Sequence, residues 1–153
     1  VPYNLDTSGI LDAWVRHYPP DVFPAIWTQM DASAKNREIF VIDEVLLELQ
    51  KKDDGIYKWV KQREAMLIPI NDDIQSHLVE IMAKYGRLVD SKKNRSVGDP
   101  WVIALARAHK LTVVTGEKAT GNLAKPRIPD VCKELGVDCI GVLDFFRAQG
   151  WRW

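Results

Sequence analysis

Two short apolar runs constrain this chain most. Ile39 to Ile42 is an unbroken aliphatic and aromatic stretch, and Thr112 to Thr115 reads Thr-Val-Val-Thr. The first does not alternate with polar residues, so both its faces must be covered, as in a buried parallel strand, and the second reads as a strand from its β-branched residues. Between them lie stretches with helical spacing. Parallel neighbours need crossovers of a dozen or more residues, usually helical. The chain therefore reads as α/β, with a central parallel sheet and helices on both faces.

The remaining elements fit that frame. Residues 2–5 are extended, and Asp6-Thr7-Ser8-Gly9 breaks the pattern. Ile10, Leu11, Trp14 and Val15 predict a helix to Tyr18, and Pro20 opens a second one ending near Lys35. Asp43 is expected to cap a helix using Val45, Leu46 and Leu49. Asp53-Asp54-Gly55 reads as a turn before a helix over 56–64, and Met66 to Ile70 as a strand. Asn71-Asp72-Asp73 starts a helix to Gly86, and 87–98 is a polar loop. Asp99 is the expected cap of a helix opened by Pro100 and running through His109. Residues 116–129 form a loop. A short helix from Pro129 to Leu135, a strand from Val137 to Ile140 and a helix from Leu143 to Ala148 follow. At 153 residues this is one domain, 1–153.

Ligands of such sheets bind beyond the carboxyl ends of the strands. Acidic residues fall at those ends. Asp6 follows the first strand, Asp43 and Glu44 the second, with Glu48 one turn further on. Glu117 lies two residues after Thr115, and Asp99 opens the helix leading into that strand. Crowded carboxylates repel one another unless a cation neutralises them. An oxygen-only set suits a hard divalent ion such as Mg2+ or Mn2+.

Other chemistries lack their residues. His17, His77 and His109 are scattered, with no zinc spacing. Nucleophile-elbow, phosphate-loop and dinucleotide glycine patterns are missing. Ser8 and Thr115 sit beside the acids as hydrogen-bond partners. Cys132 and Cys139 match no metal or redox pair and read as small buried hydrophobes in a reducing compartment. Most of the six Trp are expected in the core. No apolar run is long enough to span a membrane and no leader is evident, so a cytoplasmic location is expected.

The 21 basic and 21 acidic residues cancel, which argues against a generic polycation. Their distribution is uneven. Residues 1–56 carry a net −5 and residues 57–153 a net +5, while 84–127 alone carry +7. Lys92, Lys93 and Arg95 in one loop and Lys118, Lys125 and Arg127 in the other are candidate phosphate contacts.

Four segments resemble the motifs of PIN-domain ribonucleases, in family order. They are Leu5-Asp6-Thr7-Ser8-Gly9-Ile10-Leu11, Val45-Leu46-Leu47-Glu48-Leu49, Gly98-Asp99-Pro100-Trp101-Val102-Ile103-Ala104-Leu105-Ala106 and Val113-Val114-Thr115-Gly116-Glu117. The resemblance implies a three-layer α/β/α sandwich, Mg2+ or Mn2+, and hydrolysis of RNA phosphodiesters. It makes Asp6, Glu48, Asp99 and Glu117 the catalytic and metal-site acids, with Ser8, Thr115 and Glu44 supporting. It allows an antitoxin protein as partner, the toxin role in such a pair, and a homodimer. The sequence departs from the pattern at Glu117, where Asp is usual. Trp101 and the Gly150-Trp151-Arg152-Trp153 end also lie outside it, which marks a divergent branch. The alternative is a binding module on the same fold whose chemistry has decayed. Ser8, where a second Asp is needed, argues against a haloacid-dehalogenase-type site, and neither the acidic pair nor the phosphorylatable Asp of a receiver domain is found.

Overall fold

The computed structural model describes residues 2–89 and 98–152. Lys92, Lys93 and Arg95 lie outside them. Five parallel strands form one sheet: β1 (Tyr3–Leu5), β2 (Ile39–Ile42), β3 (Leu67–Ile68), β4 (Thr112–Val114) and β5 (Cys139–Ile140), in the order β3-β2-β1-β4-β5. Tyr3 pairs with Ile39 on one side and Thr112 on the other. Strand order reverses at β1 and β4, so the switch point lies between them.

The helices are α1 (Thr7–Leu11), α2 (Pro24–Lys35), α3 (Asp43–Lys52), α4 (Asp54–Lys61), α5 (Asp72–Tyr85), α6 (Asp99–His109), α7 (Ile128–Leu135) and α8 (Val142–Gln149). A π-helical turn over Asp12–His17 continues α1. Crossovers in parallel sheets are right-handed. Those running toward β3 and those running toward β5 therefore leave opposite faces, which makes three layers, α/β/α. β1 shows both faces by its alternation. Asn4 is fully buried and donates to the Val102 carbonyl of α6 at 2.7 Å. Tyr3 points the other way, edge-on to Phe145 of α8 with centroids 4.8 Å apart.

The expected strand at 39–42 is found at those residues, all four buried. Asn71 caps α5 by accepting from Ile74 N–H at 2.9 Å, with Asp72 and Asp73 in the first turn. Other boundaries differ. Asp43 and Asp99 are the first residues of their helices rather than caps; those positions belong to Ile42 and Gly98. The 53–55 turn is a helix start, since Asp53 caps α4 through Ile56 N–H at 3.0 Å. The helix expected from Pro20 starts at Pro24, because the Val22 and Phe23 N–H groups turn back to the Pro19 carbonyl. β3 and β5 are shorter than expected, because only the residues facing a partner strand pair.

Trp27 is buried in the core, and Trp14, Trp59, Trp101 and Trp151 are half-buried and pack against it; Trp153 lies outside the described residues. Trp14, Trp27 and Trp59 pack as a cluster, with Arg63 stacked 3.8 Å over Trp59. That geometry uses each ring's apolar body while leaving an edge wet. Cys132 is buried and Cys139 half-buried, and both are free thiols.

The core includes Ile103 and Leu105 of α6, which lies against β1, β2 and β4. Ile103→Ala would leave a cavity against the central strands, with an expected loss of about 2–5 kcal/mol. Urea unfolding measures it; a loss below about 1 kcal/mol would show that α6 is not the keystone of its layer.

Candidate active site

Asp6 leaves the end of β1 directly beside β4, its N–H bonding the Val114 carbonyl at 3.1 Å. Asp6 is buried, 1% exposed. Oδ1 accepts from Gly9 N–H at 2.6 Å, which caps α1. Oδ2 accepts from the Thr115 hydroxyl at 2.6 Å and the Ser8 hydroxyl at 2.9 Å. The Gly116 N–H donates to Ser8 Oγ at 3.0 Å and the Glu117 N–H to Thr115 Oγ at 3.0 Å. Each hydroxyl has one proton, so both protons are free for Asp6. The backbone of 116–117 thus fixes the carboxylate through two hydroxyl relays.

Gly9 is required by this packing. A Cβ there would sit 2.7 Å from the Val114 carbonyl and 3.0 Å from Asp6 Oδ1.

Burial is the main influence on Asp6 and raises its carboxyl to about 7. The Thr115, Gly9 and Ser8 donors oppose the rise, and the Glu117 charge adds to it. No Lys or Arg is paired with Asp6 among the described residues. A carboxylate so placed is costly to ionise unless a cation sits against it.

The other expected residues are placed as follows. Glu48 of α3 is half-buried and accepts from the Thr7 hydroxyl at 3.1 Å. Burial raises its carboxyl; Thr7 opposes this, and so does the charge of Lys52. A side chain at Gly98 would collide with the Glu48 carboxylate, so the start of α6, with Asp99 next in line, lies against α3. Asp99 is buried at 7% exposure. Glu44 lies near enough to Glu48 to raise it slightly further. Burial also raises Asp43. Thr7 and Ser8, adjacent on α1, therefore join the Glu48 branch to the Asp6 branch.

Glu117 is half-buried, and its Oε2 accepts from Ile128 N–H at 3.2 Å, at the start of α7. Asp130, which the sequence did not single out, fastens the same loop. It accepts from the N–H groups of Thr120, Gly121 and Arg127 at 2.8–2.9 Å and from the Thr120 hydroxyl at 3.0 Å. Burial works against its ionisation, but these donors outweigh burial and bring it down to about 2. Lys118, Lys125 and Arg127 are exposed on this loop.

A cleft of about 600 Å³ opens beside Thr115 and Glu117, with Asp12, His17, Tyr18 and Lys118 in its walls. Asp12 is the second residue missed by sequence reading. As they stand, no three His, Cys, Asp or Glu side chains are gathered closely enough to hold an ion among the described residues.

With this geometry in view, comparison adds a family. The family described as "Domain of unknown function (DUF4411)" matches residues 3–153. The chain belongs to it. No curated protein matches this DUF4411 chain. The crystal structure of FitAcB from Neisseria gonorrhoeae aligns with 90% of the DUF4411 chain and 96% of its own, at 15% identity and a TM-score of 0.48. No helix among the described residues is long and apolar enough to cross a membrane.

Asp6 makes stability pH-dependent in a definite direction. An unfolded aspartate titrates near 3.8, while folded Asp6 keeps its proton to about 7. Between those values the folded chain holds a proton that the unfolded chain has released, so stability falls as pH rises from about 4 to about 7. The total is on the order of 4 kcal/mol. Asp6→Asn removes the titration. With chelator present, the stability of the variant relative to the parent should climb from pH 4.5 to 7.5 in urea unfolding. A pH-independent difference would contradict the buried, strained carboxyl.

Proposed function

We propose that this chain is an Mg2+- or Mn2+-dependent endoribonuclease of the PIN-like kind, acting as the toxin of a toxin–antitoxin pair. The observation that carries the reading is the buried Asp6 carboxylate at the switch point, oriented by two hydroxyls and lacking a cationic partner among the described residues. The four motifs quoted above supply the reaction class by resemblance.

The donor set suits a hard divalent ion, being carboxylate and hydroxyl oxygen throughout. Asp6, Glu48, Asp99 and Glu117 would hold it only once drawn together, since no three of them converge as they stand. Bound there, such an ion supplies an activated water and charge stabilisation for phosphodiester hydrolysis. The protein's own part is orientation. Ser8 and Thr115 lock the Asp6 oxygens, and Thr7 holds Glu48. Lys118 stands at the cleft wall, where its charge attracts a phosphate backbone. Lys125 and Arg127 extend that charge along the loop, and Lys92, Lys93 and Arg95 belong to the same reading. A small antitoxin protein and a homodimer are the partners that go with it.

A second reading keeps the fold and drops the chemistry. Glu117 favours it, because its carboxylate is already engaged at the start of α7. The two readings part on one experiment. Asp6→Asn and Asp99→Asn should each lower Mn2+-dependent cleavage of single-stranded RNA by at least a hundredfold. Cleavage unchanged in both variants sinks the nuclease reading. A parent chain that neither cleaves nor gives heat on calorimetric titration with Mn2+ supports the binding module.

A further inference from the structure

The cleft beside Thr115 and Glu117 has a wall that the acids do not account for. Beyond the ends of β4 and β5 it is lined by Tyr18, Pro129, Ile140, Val142 and Leu143. Its volume of about 600 Å³ is that of a small-molecule pocket. It lies on the β5 side of the sheet, whereas α3, which carries Glu48, packs on β2 at the other side of β1.

This wall is rigid and partly bare. The Tyr18 ring meets Phe23 and Phe146 edge-on, with centroids 5.5 and 5.1 Å away. Its carbonyl accepts from the Trp27 indole N–H at 2.7 Å. His17, next to it, is exposed, with its ring 6.2 Å from that of Tyr18. Leu143 comes from the first turn of α8, which Phe145 and Phe146 anchor in the core, yet Leu143 is 49% exposed. A lone exposed leucine is ordinary. One that shares a cleft wall with two rings and further apolar side chains makes a seat for a flat, apolar-faced body.

The charges around the seat are unequal in their freedom. Each acid in the walls is already engaged: Asp12 with Arg16, Asp144 with Arg147 at 2.9 Å, and Glu117 with the Ile128 N–H at 3.2 Å. Lys118 is exposed, and no ion pair holds it or His17 among the described residues. An anionic group tethered to a flat ring therefore meets a free cation at the same place. A nucleotide has both parts.

We propose that this cleft is a base-binding subsite, taking one unpaired nucleotide of an RNA strand. The base lodges against His17, Tyr18 and Leu143, and Lys118 contacts a neighbouring phosphate. The proposal rests on the RNA reading above and deepens it, because a base has to be free of a duplex stack to enter. The substrate class is then single-stranded RNA.

The test is fluorescence anisotropy in chelator, with a short labelled RNA of unstructured mixed sequence, the same strand made abasic, and the RNA paired with its complement. The parent, His17→Ala/Leu143→Ser, Lys118→Ala and the control Lys61→Ala on α4 are compared after thermal melting. The double variant should bind the intact single strand about tenfold or more weakly, with the salt dependence unchanged. On the abasic strand and the duplex it should match the parent. Lys118→Ala should weaken binding to both single strands and flatten the log–log salt slope by about 0.7. Lys61→Ala should match the parent throughout. No loss in the double variant, or an equal loss on intact and abasic strands, overturns the subsite. So does a salt slope unchanged in Lys118→Ala, or a parent that binds no RNA. If the double variant melts early, His17→Ala alone carries the same intact-against-abasic comparison. With chelator present the outcome is independent of cleavage. A parent that shows this pattern but never cleaves RNA sinks the nuclease reading and leaves the subsite standing. A parent that cleaves RNA while the double variant binds as the parent does overturns the subsite alone.

Discussion

The hydrogen bond between the Thr115 hydroxyl and Asp6 joins the ends of the two strands between which the sheet changes direction. Much else follows from it. With Asp6 held there, its second oxygen can cap α1 through Gly9, and α1 in turn presents Thr7 to Glu48. Gly9 has to be glycine because the helix start is drawn against β4. The carboxylate is stabilised by three donors and destabilised by its burial, and burial wins. A carboxylate held at the edge of what the fold tolerates is one that a cation set against it would relieve, which is what the proposed reading asks of Asp6.

The strong elements of the fold were legible. A four-residue apolar run such as Ile39–Ile42 has few alternatives once helical stretches flank it, and Asn-Asp-Asp before Ile74 announces a helix start chemically. Boundaries were less legible because they depend on backbone angles that residue type does not settle. Asp43 and Asp99 have the composition of caps but lie inside their helices. Asp6-Thr7-Ser8-Gly9 has the composition of a chain break, yet Asp6 caps a helix too short to show periodicity.

Site residues divide the same way. Asp6, Ser8 and Thr115 could be placed together from strand ends alone. Asp12 could not, because its position depends on a π-helical turn, which has no pattern in sequence. Asp130 is invisible for another reason: its partners are mostly backbone N–H groups of a loop ten residues away. The departure at Glu117 gains a physical account. Aspartate is one methylene shorter, and the reach to Ile128 N–H uses that length.

That reach has a consequence for how the loop can vary. Glu117 grips the start of α7 from one end of the segment, and Asp130 gathers Thr120, Gly121 and Arg127 from the other. Both ends are thus moored to the same helix, and the arc around 122–126 between them is held by its own bonds, Asn122 N–H to Thr120 Oγ1 and Lys125 N–H to the Asn122 carbonyl. Insertions or deletions in that arc change a closed loop whose length enters only weakly into its closure entropy. A change of charge in that exposed arc therefore leaves both moorings, and with them the acids at the strand ends, in place.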